Sequence, residues 1–394
     1  MDVDAAAKEG WVPERRVTDD NRAADDRADD DRTGDGMPAR RAGGNGTPAR
    51  PTLQQVAQLA GVSRATVSRV VNGGTGVRAE VQTRVRQAVD ELGYVPNPAA
   101  RTLMTRRHNA VAVVVAEPES RVFTDPFFAR QLRGISRELS AAGVQLVLLL
   151  IADTGDYAQV GAYLAAGHVD GALIFSLHND DPLPAIVDRL GLPTVFGGRP
   201  GWVGTEEHPE TDGVLYVDAD NFGGARTAVG HLVDRGRERI AVVTGPLDQT
   251  SALDRLRGYR AVLPGADPLL VAEGDFSAAG GRRAMEELLA RRPDLDAVFV
   301  CSDLMASGAL TALRAHGRRV PEDVALVGFD DVETPELWGG PTLTTVRQDI
   351  EGMGSLMARL LLTRLELVFS GRSAEAAAMR PVVTPARLVV RSSS

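Results

Sequence analysis

From Val111 onward, short apolar runs rich in β-branched residues alternate with stretches of helical periodicity, and this alternation restricts the fold more than any other feature. The runs are AVAVVVA (110–116), VQLVLLLI (144–151), GALIFS (171–176), PTVFGG (193–198), RIAVVTG (239–245), DAVFVCS (296–302), DVALVGFD (323–330) and LTTV (343–346). Helical segments lie between most of them, among them 127–142, 222–235, 278–291, 303–316 and 350–369. Continuous apolar strands separated by helices must be covered on both faces, which predicts parallel α/β sheets. Eight or more such units are too many for one open sheet, and they lack the regularity of a closed eightfold barrel. Two doubly wound lobes are therefore expected, taking up ligands at the carboxyl ends of their strands.

What precedes this body differs in charge. Residues 1–36 carry 6 basic and 12 acidic side chains, residues 37–107 carry 11 basic and 3 acidic, and the remainder is net −11. A basic segment ahead of an acidic body is the asymmetry of a nucleic-acid-binding module joined to something else. Residues 1–50, rich in Asp, Arg, Gly and Ala, show no apolar periodicity and are expected to form a disordered tail. Met37, just before the charge changes sign, is an alternative translation start.

Residues 52–94 read as three short helices. Thr52 and Gln55 fit a capping box, and Leu53, Val56, Ala57 and Ala60 form the stripe behind it. Gly61 supplies the positive φ of a tight turn, and Ser63 caps a second helix with Val67, Val70 and Val71 inward. Val81, Val85, Ala88, Val89 and Leu92 mark a third helix ending at Gly93. The spacing of Ala57, Gly61 and Val67 predicts a helix–turn–helix, whose second helix enters a major groove. That helix turns Arg64, Ala65, Thr66, Ser68 and Arg69 outward. Arginine pairs bidentately with guanine, so Arg64 and Arg69 are the candidates for base readout, with phosphate contact or plain solvation as the alternative. Thr66, Ser68 and Asn72 fit phosphate positioning.

The stretch TLQQVAQLAGVSRATVSRVVNGGTGVRAEVQTRVRQAVDELGYVPNPAARTL resembles the headpiece and hinge of the LacI/GalR family of bacterial transcription regulators. It departs from the family pattern at Arg78, where a capping Ser is usual, and at Val81, where a Thr is usual. The resemblance implies a helix–turn–helix domain over 51–95, a hinge helix and linker over 96–108, and a two-lobed effector-binding and dimerisation domain over 109–394. It adds Thr52, Ser63, Asn97, Ala100 and Leu103 to the DNA-binding positions, with Leu103 as a wedge into the central minor-groove step. Read by itself, YVPNPAARTLMT is a short helix capped by Asn97, with Pro98 in its first turn, or else a plain linker.

DPFFARQLRGI, YVDADNFGGA, RLRGYRA, GDFSAAGG, CSDLMASGAL, ALVGFDD and LTTVRQDIEGMG extend the likeness through the body. The implied fold is that of periplasmic sugar-binding proteins, two lobes joined by three crossovers. Positions matching the family's pocket are Phe127, Phe128, Arg255, Phe276, Asp303 and Asp330, with Ser302 standing where Asn is usual. Trp202 is a candidate stacking wall. Carboxylates and a guanidinium around an apolar floor suit a polyhydroxylated ligand, so a sugar is favoured and a purine-like corepressor is the alternative.

Catalysis needs a constellation that is missing: there is no phosphate-binding glycine fingerprint, no GxSxG elbow and no zinc spacing, and the six histidines (His108, His168, His178, His208, His231, His316) are scattered. Neither enzymatic activity nor a cofactor is expected. A single cysteine, Cys301, no apolar leader and no long apolar run point to a reducing, cytoplasmic setting, nucleoid-associated through DNA, without membrane contact. The whole reads as a homodimeric repressor of a palindromic operator under small-molecule control; no leucine-heptad tail follows ARLVVRSSS, which favours a dimer. A solute-binding protein without a transcriptional role would explain the body but not residues 52–105. If the hinge reading holds, Leu103→Ala weakens operator binding strongly in a mobility-shift titration and leaves effector affinity unchanged.

Overall fold

The computed structural model describes residues 51–71, 74, 76–95, 107–203, 213–333 and 341–394. The acidic tail with Met37 and the hinge segment 96–106 lie outside them. The chain divides into two units, Met1–Val95 and Pro96–Ser394.

In the first unit, α1 (Leu53–Ala60) begins at the capping box: Thr52 N–H donates to Gln55 Oε1 at 2.7 Å, while Gln55 N–H donates to Thr52 Oγ1. It ends at Gly61, whose φ of 62° is the left-handed turn the spacing required. Helix α2 (Arg64–Val71) starts with Thr66 N–H donating to Ser63 Oγ at 3.1 Å. Helix α3 (Ala79–Leu92) has no side-chain cap at Arg78, as the departure from Ser implies, and closes at Gly93. Val56, Ala57, Ala60, Val67, Val85, Ala88 and Tyr94 form the core, with Val70, Val71, Val81, Val89 and Leu92 around it.

The second unit contains two six-stranded sheets. Its elements run β1 (Ala110–Val115), α4 (Glu119–Thr124), α5 (Pro126–Ala141), β2 (Gln145–Leu150), α6 (Asp156–Ala165), β3 (Gly171–Phe175), α7 (Leu183–Arg189), β4 (Thr194–Gly197) and β5 (Tyr216–Ala219). Then come α8 (Asn221–Asp234), β6 (Ile240–Thr244), α9 (Thr250–Val262), β7 (Val271–Glu273), α10 (Ala278–Arg291), β8 (Ala297–Val300), α11 (Asp303–Ala315) and β9 (Ala325–Asp330). The last are β10 (Thr344–Arg347), α12 (Ile350–Phe369), α13 (Ser373–Ala377), β11 (Val382–Thr384) and β12 (Arg387–Val389). Lobe 1 has the strand order β11-β5-β4-β3-β1-β2, and lobe 2 has β12-β10-β9-β8-β6-β7. Neighbours are parallel except β10 and β12. The chain passes between lobes three times, at 219–221, 347–350 and 384–387.

Strand β1 shows why these runs are strands. Val111, Val113 and Val115 enter the core on one face of the sheet, whereas Ala112 and Val114 enter the core on the other. The period of two serves two apolar layers, so no polar alternation appears in the sequence. Strand β2 behaves differently. It is an edge, and Leu146–Leu150 are only half covered. Strands β5, β7, β11 and β12 were not among the apolar runs.

Helix α12 leaves lobe 2 and packs on lobe 1 against α5, with Met353, Met357, Ala358, Leu361 and Leu365 in the same core as Ile135 and Leu139. The two backbones nearly touch. A Cβ on Gly134 would lie 2.0 Å from the Glu351 carbonyl oxygen, and one on Gly354 would lie 2.2 Å from that of Gln131. Because backbone cannot swing aside, Gly354→Ala is expected to cost about 3 kcal/mol in urea denaturation. Gly265→Ala, where a Cβ meets nothing within 4 Å, serves as the unaffected control.

Candidate nucleic-acid interface and ligand cleft

Helix α2 presents one arc to solvent. At about 100° per residue, Arg64, Ser68, Ala65 and Arg69 fall within one arc of about 140°, with Ala65 and Arg69 opposite Val67, Val70 and Val71 and Arg64 at the flank nearest Val71. Arg64, Ala65 and Arg69 are exposed, and Ser68 is half-buried. The Thr66 and Ser63 hydroxyls lie 2.9 Å apart, and the Thr52 side chain is engaged in the capping box. These three hydroxyls therefore shape the helix starts. Asn72, Asn97, Ala100 and Leu103 lie outside the described residues.

Between the lobes of the second unit lies a cleft of about 850 Å³, part of it open to solvent. Its walls are strand ends and the loops or helix starts beyond them: Ser176 after β3, Gly197 at the end of β4, Asp218 in β5, Phe276 after β7, Ser302 after β8 and Asp330 at the end of β9. That is where doubly wound sheets leave backbone uncovered. Of the sequence-predicted residues, Phe127, Phe128, Arg255, Phe276 and Asp330 are brought together here. Phe128 stacks on Phe175 at 6.1 Å and meets Phe127 edge-on at 5.5 Å.

Arg255 is held from several sides. Its guanidinium lies 3.7 Å from the Phe329 ring centre, its Nε donates to Asn221 Oδ1 at 2.9 Å, another nitrogen donates to the Cys301 carbonyl, and Nη2 is 3.7 Å from Asp330 Oδ1. Asp330 also accepts a hydrogen bond from Gln348 Nε2 at 2.6 Å. Burial pushes its carboxyl up to about 7, against the pull of Arg255, so it is poised between acceptor and donor at neutral pH. Burial likewise raises Asp218 and Asp125 above the ordinary aspartate range. Ser176, Phe276 and Asp330 carry positive φ values of 62°, 60° and 110°. Such strain in non-glycine residues is held only where the surroundings impose it.

Two expectations need correction. Asp303 is buried behind the wall, accepting from Thr345 Oγ1 at 2.6 Å and from Val332 N–H at 2.9 Å, and does not line the cleft. As the first residue of α11 it ties the loop after β9 to β10, and Ser302, which caps that helix, takes the place on the wall. Trp202 packs edge-on against Phe196 at 5.8 Å in the core on the far face of lobe 1, away from the cleft lining. A bulky apolar ring found company of its own kind. The cleft adds Arg121, Gln131, Arg199, Asp218, Asn221, Gln249 and Gln348. Asp218 and Asn221 belong to the YVDADN stretch, Gln131 to DPFFARQLRGI and Gln348 to LTTVRQDIEGMG, whereas Arg121, Arg199 and Gln249 sit in none of these motifs.

A polar clasp joins the lobes beside the cleft. His178 of lobe 1 places Nδ1 2.7 Å from Asp248 Oδ2 of lobe 2 and Nε2 3.8 Å from Glu117 Oε1. Gln249 Nε2 reaches across to donate to Glu117 Oε1 at 3.1 Å, Asn179 N–H donates to the Asp248 carbonyl, and Arg199 pairs with Asp254 at 2.7 Å. The carboxylates of Glu117 and Asp248 beside the imidazole push its pKa up to about 9. Glu117, despite burial, is held low by His178 and Arg121.

Residues 52–97 match the bacterial regulatory proteins of the lacI family, and residues 229–394 match the periplasmic binding protein-like domain. The HTH-type transcriptional regulator CelR of Thermobifida fusca is 50% identical over 320 residues, 80% of this chain and 92% of that one. The ribose operon repressor of Escherichia coli K12 is 34% identical, covering 80% and 93%. Among solved structures, a CelR–cellobiose complex is 44% identical, with a TM-score of 0.66 over 88% of this chain and all of that one. The lac repressor dimer bound to operator and the anti-inducer ONPF is 28% identical, with a TM-score of 0.73 over 87% and 99%.

The clasp has a pH signature. The folded pKa of His178 lies above its ordinary 6.5, so its stabilisation is complete below that value and is lost as pH rises through about 9. The thermal midpoint of the full chain should therefore fall between pH 6.5 and 9, and His178→Gln should flatten that slope in differential scanning calorimetry.

Proposed function

The chain belongs to the lacI family of bacterial regulatory proteins, and on that premise we propose that it is a repressor whose effector is cellobiose or a closely related β-linked glucose oligomer. It is a sequence-specific DNA-binding regulator that acts as a dimer on an operator and answers to a sugar. It acts by binding rather than catalysis, in keeping with relatives that are transcriptional regulators. No described helix is long and apolar enough to cross a membrane.

The observation that carries the effector assignment is the lining of the cleft, aromatic and apolar with a few polar groups as a hydroxyl-rich ring compound requires, in a chain 44% identical to a regulator solved with cellobiose. Ligand sites of this kind are lined mostly by apolar and aromatic side chains, with a few placed polar groups that fix orientation. Phe127, Phe128 and Phe276 offer flat apolar faces to the C–H faces of pyranose rings. Arg255, Asp330 and Asp218 offer charge-assisted hydrogen bonds to hydroxyls, and these fix orientation at the polar edge.

The DNA reading assigns the tail to 1–50, the helix–turn–helix to 51–95, the hinge to 96–108 and the effector body to 109–394. Arg64 and Arg69 read base edges, while Thr66 and Ser68 position the helix on phosphates. Two headpieces related by a two-fold axis require a near-palindromic site. A ligand that touches both lobes binds one inter-lobe pose better than another, and only that difference reaches the DNA.

Operator titrations with and without sugar test the whole. Cellobiose should change operator affinity by roughly 5- to 150-fold, the usual range of allosteric coupling, while ribose and purine bases leave it unchanged. A response to a purine with none to cellobiose would discard the effector assignment.

A further inference from the structure

Among the described residues, four buried side-chain nitrogen or oxygen atoms lack a hydrogen-bond partner: Arg121 Nε, Gln131 Oε1, Thr244 Oγ1 and Arg291 Nε. Arg121 and Gln131 both line the cleft. Unsatisfied buried polar atoms are uncommon in folded proteins, and each one calls for an explanation.

Gln131 is the sharper case. It is 2% exposed, on the turn of α5 that follows Phe127 and Phe128. Its position is not free to adjust, because its own carbonyl oxygen is pressed against Gly354 of α12. Its amide nitrogen finds only a thioether, Met357 Sδ at 3.1 Å, a weak acceptor. Its amide oxygen finds nothing. Leucine or methionine would fill this wall without leaving an orphan, so a buried amide here makes sense only with an added donor. Arg121, another lobe 1 residue of the cleft lining, lies over the rings of Phe128 and Phe276 at 5.7 and 5.2 Å, with its Nε a donor lacking an acceptor. The cleft lining thus holds an unused acceptor and an unused donor, and the hydroxyls of a sugar supply partners for both kinds.

We propose that Gln131 is a specificity-determining residue for the effector: its amide oxygen accepts a hydrogen bond from one sugar hydroxyl in the lobe 1 half of the cleft. This rests on the sugar reading above and deepens it. A site built around a hydroxyl rejects the analogue that lacks it, since the buried partner is then left unpaired. Discrimination against a deoxy sugar therefore comes from α5, apart from the charged Arg255–Asp330 group.

The test compares wild-type full-length protein with Gln131→Met by titration calorimetry against cellobiose and its monodeoxy derivatives, alongside thermal melting without sugar. The variant should bind cellobiose roughly 10- to 100-fold more weakly. It should melt no lower than wild type when ligand-free, because an unsatisfied amide has been removed. One monodeoxy derivative should bind wild type weakly and show no further loss on the variant. Equal cellobiose affinity in the two proteins overturns the role of Gln131 and leaves the effector assignment standing. A ligand-free variant that melts lower also overturns it, since the amide then serves the fold. Wild type that binds glucose or ribose but not cellobiose overturns the effector assignment alone, and Gln131 is judged by the same affinity ratio on that sugar.

Discussion

The close approach of α5 to α12 is the contact on which the geometry of the cleft depends. Helix α12 is delivered by lobe 2 and lies against lobe 1, so the distance between these two backbones sets where the first turns of α5 stand. Gly134 and Gly354 permit that distance, and lobe 2 repeats the device where α10 meets α11. There a Cβ on Gly308 would lie 1.8 Å from the Ala278 carbonyl oxygen, and one on Gly281 would lie 2.1 Å from that of Met305. In each lobe a glycine pair seats the helix whose start forms a wall of the site. Interiors this dense transmit displacement instead of absorbing it, which a ligand-responsive protein needs.

Much of the fold was legible from residue order. Strands buried on both faces announce themselves as unbroken apolar runs, and β1, β3, β6, β8 and β9 were found that way. The headpiece was legible down to its caps because Thr52, Gln55, Gly61 and Ser63 act on neighbours within a few positions. What escaped was set by distant partners. Three-residue strands such as β7 carry no periodicity, and the clasp joins His178 to residues 61 and 70 positions away. Asp303 illustrates the opposite error. A carboxylate at a strand–helix junction reads as a ligand contact, yet this one is taken up by Thr345 and Val332, partners 42 and 29 positions away. Gln131 was invisible for the same reason: an amide in an amphipathic helix resembles any solvated one until its burial is known.

The cleft is kept ready at a cost to the fold. Asp125, Asp218 and Asp330 are carboxylates that burial discourages from ionising, and three of the wall residues hold left-handed backbone. Arg255 offsets part of this through Phe329, Asn221 and the Cys301 carbonyl, which fix it before any ligand arrives. Local rules broken at one place and supported around it are the mark of a site. The walls of the cleft come from both lobes, so a bound ligand touches the two together.

The three passages between lobes mean that neither lobe is one stretch of chain. Lobe 1 needs residues 110–219 and then 350–384, and lobe 2 needs residues 220–347 and then β12 with the segment after it, where Ser393 exchanges hydrogen bonds with Leu326. No single cut can release a complete half, and no half can be grafted onto another regulator as a cassette. On the ribosome, the first sheet must wait for a helix encoded some hundred and thirty residues later, exposing apolar surface in the meantime. The architecture that lets two lobes move as one also makes their birth a joint event, and gives chaperones a long interval in which to find them.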